Sequence, residues 1–157
     1  MIILGIDPGS RCLGFGVIQI NARKVKYVAS GCLVLKGELA QRLLTIDQEL
    51  TSIVRRYEPE VAALESVFMH RYAKSALTLG HARGVAMVAL ARQHLSIQSY
   101  APREIKQAVV GYGGADKQQV QHMMQALLQL SGLPQADAAD ALAAAYCHAM
   151  LGAMVLG

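Results

Sequence analysis

The sequence predicts an α/β protein built as one mixed sheet with helices on its faces. Three observations carry that expectation. The first third reads as consecutive strands joined by a short turn. The remainder alternates helical apolar periods with short apolar runs. No repeat, low-complexity stretch or linker divides the 157 residues. A meander followed by alternating helix and strand closes into one sheet, because each amphipathic helix needs a sheet face to cover. At this length the expectation is one domain, 1–157, with a sizeable core.

Residues 1–7 open the chain as an apolar, branched strand that ends on Asp7 and is broken by Pro8 and Gly9. Leu13–Ile20 and Val25–Leu35 read as two more strands, with Asn21-Ala22-Arg23 as the turn between them. Gly5, Gly14, Gly16 and Gly31 weaken these strands on propensity and so mark bulges or close packing. From Leu39 to Tyr57, Leu39, Leu43, Ile46, Leu50, Ile53 and Tyr57 recur at helical spacing, and Pro59 ends the helix. Asp47 and Glu49 on it read as solvated or flanking charges. Val61–Glu65 is a short buried strand that again runs into an acid, and 66–72 is a loop. Lys74–Leu95 is a long Ala-rich helix whose Gly80 and Gly84 share a face on which another helix can approach. Ser96–Tyr100 is a fifth strand. Pro102–Val110 and Asp116–Leu130 are helices separated by Gly111-Tyr112-Gly113-Gly114, and a last helix starts near Asp137.

The composition is 54% hydrophobic and 17% charged, which excludes a disordered chain. The net charge of +4 permits an anionic partner such as nucleic acid. Cys12, Cys32 and Cys147 are odd in number and widely spaced, with no zinc-ligand spacing, so the expectation is buried free thiols in a reducing compartment. The N-terminus lacks the basic region of a signal peptide. Residues 141–157 carry no Asp, Glu, Lys or Arg, yet fall short of the ~20 residues of a membrane span and include His148. They read as a core helix and a terminus, with no membrane.

Of the 11 acids, four stand apart. Asp7 and Glu65 end apolar strands. Asp137 and Asp140 lie among alanines, three apart, and so point the same way from one helix. Two like charges on one helical face repel unless something positive lies between them. Taken singly, Asp137 could cap the helix, Asp140 could favour its dipole, Asp7 could serve a turn and Glu65 a salt bridge. Together, four carboxylates without a local cationic partner form the ligand set of a hard divalent cation. Two such ions can clamp the attacking water and leaving oxygen of a phosphodiester.

Four blocks then carry a family resemblance: Gly5-Ile6-Asp7-Pro8-Gly9-Ser10-Arg11, Leu64-Glu65-Ser66-Val67-Phe68, Leu79-Gly80-His81-Ala82-Arg83-Gly84 and Gln135-Ala136-Asp137-Ala138-Ala139-Asp140-Ala141. In this order, along nearly the whole chain, they resemble the bacterial RuvC Holliday-junction resolvases. The resemblance implies a ribonuclease-H-like fold, an α/β architecture with a five-stranded mixed sheet and helices on both faces, in which the first and fourth strands are neighbours. It implies a homodimer that nicks two strands of a four-way DNA junction symmetrically in recombination and repair, leaving 5′-phosphate and 3′-hydroxyl ends. It makes Asp7, Glu65, Asp137 and Asp140 the catalytic acids, holding two Mg²⁺ per site with Mn²⁺ as a substitute. It gives Phe68 a base to stack on and places Lys106 and Lys117 near the DNA backbone. Arg71, Lys74 and Arg83 are further phosphate candidates. A branch-migration helicase complex of RuvA and RuvB is the implied partner, and the cytoplasm the implied location. The sequence departs from the family in carrying Tyr72 where many members have Asn, and in stopping at Gly157 where many continue.

Two other readings stand beside this one. Gly-Ile-Asp-x-Gly also resembles the first hairpin of actin-like ATPases and sugar kinases. Those enzymes need two copies of the domain and a second phosphate loop, and no second Asp-x-Gly segment occurs here. A binding module, or a relative that processes RNA, is the third reading. Four retained acids argue against a dead scaffold, while nothing local distinguishes DNA from RNA.

Overall fold

A computed structural model describes residues 1–66 and 73–155, with side chains as far as Gly152. Its elements are β1 (Ile2–Asp7), β2 (Cys12–Asn21), β3 (Lys24–Val34), α1 (Leu39–Tyr57), β4 (Val61–Glu65), α2 (Ala73–Arg92), β5 (Ser96–Tyr100), α3 (Pro102–Val110), α4 (Lys117–Leu127) and α5 (Ala136–Val155). The five strands form one sheet in the order β3-β2-β1-β4-β5. β1, β2 and β3 are antiparallel neighbours, while β4 runs parallel to both β1 and β5. The mixed sheet of the sequence reading is therefore present, with the first and fourth strands side by side.

Strand alternation sorts the core into two layers. Leu4 and Ile6 of β1 and Ala62 and Leu64 of β4 pack with Ile46, Leu50 and Ile53 of α1 and Ala82, Ala86 and Leu90 of α2. Ile3, Val61 and Ala63 point the other way, onto α3, α4 and α5. By the same period of two, Asp7 follows Ile3 and Gly5, and Glu65 follows Val61 and Ala63. Both acids thus belong to the α5 face.

The strand glycines are explained by that face. A Cβ at Gly5 would overlap the Ala141 carbonyl, and one at Gly14 would overlap the Asp137 carbonyl. Helix α5 lies directly on the backbone of β1 and β2, and its own contacts are mostly alanine: Ala138, Ala139, Ala141, Ala143, Ala144 and Ala145 are all buried. A register shift between Val17 and Ile18 is the one irregularity in the β2–β3 ladder.

Several expectations are corrected. Cys12 and Cys32 are not free thiols; they are joined as a disulfide, with Cα atoms 6.1 Å apart, and only Cys147 is a buried free thiol among the described residues. The reason is register. Cys32 pairs with Gly14, two residues from Cys12, so the cysteines are diagonal neighbours on one face of the antiparallel pair. Asp47 is not merely solvated but forms an ion pair with Arg92. Helix α2 stops at Arg92, not Leu95, because His94 turns left-handed (φ 61°) and the Leu95 amide returns to the Leu90 carbonyl. Asp116 lies outside α4 as its cap, accepting from the Gln119 amide at 2.8 Å. The predicted turn holds without glycine: Ala22 and Arg23 both take positive φ. Around Gly80 and Gly84 a Cβ would meet nothing within 4 Å, so no described part of this chain uses that face.

Candidate active site

The acids arrive from three elements. Ile6 of β1 pairs with Leu64 of β4, so the next residue on each parallel strand is the acid, Asp7 beside Glu65. Helix α5 begins at Ala136 and rests its first turn on Gly14, which puts Asp137 and Asp140 over the same sheet end. All four acids are half-buried.

Their electrostatics report the convergence. Burial, followed by the charges of Asp140, Asp137 and Glu65, pushes the Asp7 carboxyl up to about 7. Burial and Asp140 likewise raise Glu65, against the opposing pull of Lys106, Lys117 and Arg83. Asp140 is raised by burial and held back chiefly by Lys117. Each of these carboxyls is destabilised as an anion, so the cluster favours a proton or a cation. The donor set is all carboxylate oxygen, two strand-tip acids and two helix acids at one sheet end, although among the described residues the one group of three with ligand atoms within 4.8 Å of one another is Cys12, Cys32 and Asp137. Four carboxylates are the donor chemistry of a hard divalent cation, and by that chemistry the residues fit such an ion.

Two lysines stand at the rim. Lys117 Nζ lies 3.6 Å from Asp140 Oδ2 while remaining largely exposed. Its position at the start of α4 is set by the Asp116–Gln119 capping box next to it. Lys106, on α3, lines a crevice with Glu65 and Asp140. Both therefore stand beside the acids.

Arg83 has a different place from the phosphate contact expected of it. Its guanidinium donates to the Glu65 carbonyl at 2.6 Å and to Ser99 Oγ at 3.1 Å. It fixes the end of β4 rather than facing solvent as a free cation. Lys74 stands exposed on the first turn of α2, and no contact among the described residues joins it to the acids. Phe68, Arg71 and Tyr72 lie outside the described residues.

One positioning contact and one close approach escaped the sequence reading. Arg42 of α1 donates to the Ser10 carbonyl at 2.8 Å and so holds the loop that follows Asp7. Cys32 Sγ lies 3.9 Å from Asp137 Oδ2. Neither has a local signal, since 32 and 105 residues separate the partners.

Comparison with known proteins gives a consistent result. The family model for crossover junction endodeoxyribonuclease RuvC matches residues 3–148. The RuvC of Hahella chejuensis is 56% identical over 147 residues, covering 93% of this chain and 86% of the relative. That of Marinobacter nauticus is 54% identical over 156 residues, covering 99% of this chain and 89% of the relative. Among solved structures, Thermus thermophilus RuvC in complex with a Holliday junction substrate superposes with a TM-score of 0.92 at 31% identity, over 99% of this chain and 96% of that one.

Proposed function

The chain belongs to the RuvC family of crossover junction endodeoxyribonucleases, and from that premise we propose that it resolves four-way DNA junctions by paired symmetric nicks, with residues 1–157 acting as one nuclease domain. Membership removes the kinase-like reading, and the ribonuclease-H-like fold accounts for the shared Gly-Ile-Asp-x-Gly hairpin.

The observation that carries the reading is the gathering of Asp7, Glu65, Asp137 and Asp140 at one sheet end, where burial and the neighbouring acids raise Asp7, Glu65 and Asp140. These four would hold two Mg²⁺ ions, with Mn²⁺ as a substitute. When bound, such ions activate water for in-line attack and stabilise the leaving 3′ oxygen. The chain's own residues do the remaining work. Arg83 fixes the Glu65 main chain, and Arg42 fixes the turn after Asp7. Lys106 and Lys117 offer positive charge to the phosphates flanking the cut, leaving 5′-phosphate and 3′-hydroxyl ends. Lys74 and Arg71 bind further phosphates, and Phe68 stacks on a base at the branch point.

A homodimer supplies the second nick. The open face of α2 supports this, since Gly80 and Gly84 are uncovered and Leu77 and Val88 are exposed beside them. Among the described residues no helix is long and apolar enough to cross a membrane. We place the enzyme in the cytoplasm, with the branch-migration helicase of RuvA and RuvB as partner, because its substrate arises on the chromosome.

The test is nicking of a synthetic four-way junction, with linear duplex and RNA–DNA hybrid as controls and Mg²⁺ withheld in parallel. Symmetric, metal-dependent cuts in the junction alone are expected. Cleavage of the hybrid alone moves the enzyme to the ribonucleases. Phe68→Ala should leave metal binding intact and weaken junction cleavage by the ~1–3 kcal/mol of one base stack. An unchanged cleavage rate with a lowered melting temperature would instead make Phe68 a packing residue.

A further inference from the structure

We infer that Cys12 and Cys32 form a reversible thiol–disulfide site that sets the metal affinity of the nuclease centre through Asp137. The inference rests on the metal-nuclease reading above and extends it to regulation.

Four observations meet here. The two cysteines are joined on the α5 face of β2 and β3, with Cα atoms 6.1 Å apart. Cys32 Sγ lies 3.9 Å from Asp137 Oδ2, and one donor atom each from Cys12, Cys32 and Asp137 all fall within 4.8 Å of one another. The Asp137 backbone rests on Gly14, the cross-strand partner of Cys32, so acid and disulfide share a footing. Both cysteines are half-buried and within reach of a small reagent.

The crosslink is not needed to hold the fold. β2 and β3 are consecutive strands already paired from Cys12–Val34 to Asn21–Lys24, so the bond closes a hairpin that its own ladder closes. In a cytoplasmic protein such a disulfide is typically transient and redox-sensing rather than structural.

The chemistry balances by exchange. The Cys12 and Cys32 thiols react with a small-molecule disulfide; one S–S bond forms in the protein, the reagent's S–S bond breaks, and two reagent thiols leave carrying the two protons. In the dithiol state Cys32 has an S–H that donates to Asp137 Oδ2 and orients the carboxylate. In the disulfide state that proton is gone, and sulfur lone pairs face the carboxylate instead. Groups that orient a metal ligand typically change metal affinity about 10–100-fold, and a thiol is a weak donor, so a change of about fivefold is expected, with the reduced form tighter.

The experiment uses the full chain, fully reduced or oxidised with excess oxidised glutathione, with the pairing confirmed by peptide mapping. Mn²⁺ affinity is read by calorimetry, and the Mg²⁺ dependence of junction nicking is measured in parallel. Reduced protein should bind Mn²⁺ about fivefold more tightly and reach half-maximal nicking at correspondingly lower Mg²⁺. Cys12→Ser should match the reduced protein in either condition. Equal Mn²⁺ affinities in the two mapped states overturn the inference. So does Cys12→Ser that keeps its redox response, failure of Cys12 and Cys32 to pair on oxidation, or absence of Mn²⁺ binding in both states. Absent nicking beside redox-dependent Mn²⁺ binding would count against the junction reading alone.

Discussion

The two faces of the sheet are built by opposite rules. Against α1 and α2 the strands present large aliphatics, with Leu4, Ile6, Leu13 and Leu64 meeting Ile46, Leu50 and Leu90. Against α5 they present Gly5, Gly14 and Gly16, which meet Ala141, Asp137 and Leu142 of the helix in turn. The first face keeps its helices at side-chain distance. The second lets a helix backbone touch the strands. Aspartate is a short side chain, so Asp137 and Asp140 can join acids at the strand tips only where the backbone comes that close. Both faces carry a buried core, but only the glycine-lined one brings a helix backbone up to the strand-tip acids.

That contrast can be broken in order of effect. Asp7→Asn should reduce junction nicking on the order of 10³-fold, the scale of losing one charge-positioning group from an active centre. The metal-free fold should not suffer. The Asp7 carboxyl binds its proton more tightly folded than unfolded, with 3.8 as the ordinary value and about 7 in the fold. Its stabilising contribution is full below pH 3.8 and is lost as pH rises through about 7. Without metal, Asp7→Asn should therefore melt a few degrees above wild type at pH 8, and the gap should close toward pH 4. A variant that melts lower at pH 8 would remove the repulsion argument.

Gly14→Val should come next. Its side chain would displace the Asp137 backbone, costing about 1–3 kcal/mol in stability. Nicking per folded molecule should fall about 100-fold, because a misplacement near 1 Å is that costly at a reacting centre. Leu50→Ala, on the other face, is the paired control. It should cost more stability, about 2–5 kcal/mol, and leave nicking per folded molecule unchanged. Comparable activity losses from the two variants would erase the distinction between the faces.

Lys117→Met is the finest probe. The lysine is 77% exposed, so the loss of its pair with Asp140 should change stability by less than about 1 kcal/mol. Nicking should drop about tenfold, the scale of one charge-assisted hydrogen bond. The acid limb of the pH–rate profile should move to higher pH, because Lys117 lowers Asp140, Asp7 and Glu65. A tenfold drop with an unmoved limb would assign the lysine to DNA alone.

How much of this was legible in the sequence follows from range. Periodicity and punctuation are local, so Leu39–Tyr57, Val61–Glu65 and Pro102–Val110 coincide with α1, β4 and α3. The acids were legible because each sits in apolar surroundings that its own neighbours reveal. The purpose of Gly5 and Gly14 was not, since the atoms they admit belong to a helix over a hundred residues away. The Cys12–Cys32 pairing depends on strand register, which sequence spacing does not give. Arg83 is the instructive case. A cation near a nuclease motif suggests phosphate, yet only the fold shows that its hydrogen bonds are directed to Glu65 and Ser99.

The helix seated on bare strand backbone also changes how sequence variation in this enzyme should be interpreted. A saturation scan scored by cleavage would find Gly5 and Gly14 as intolerant as the acids themselves, though neither carries a functional group. Ranking positions by intolerance would then enrol both in the chemistry. Scoring protein abundance beside cleavage separates the two kinds of position: the glycines lose both, and the acids only the second.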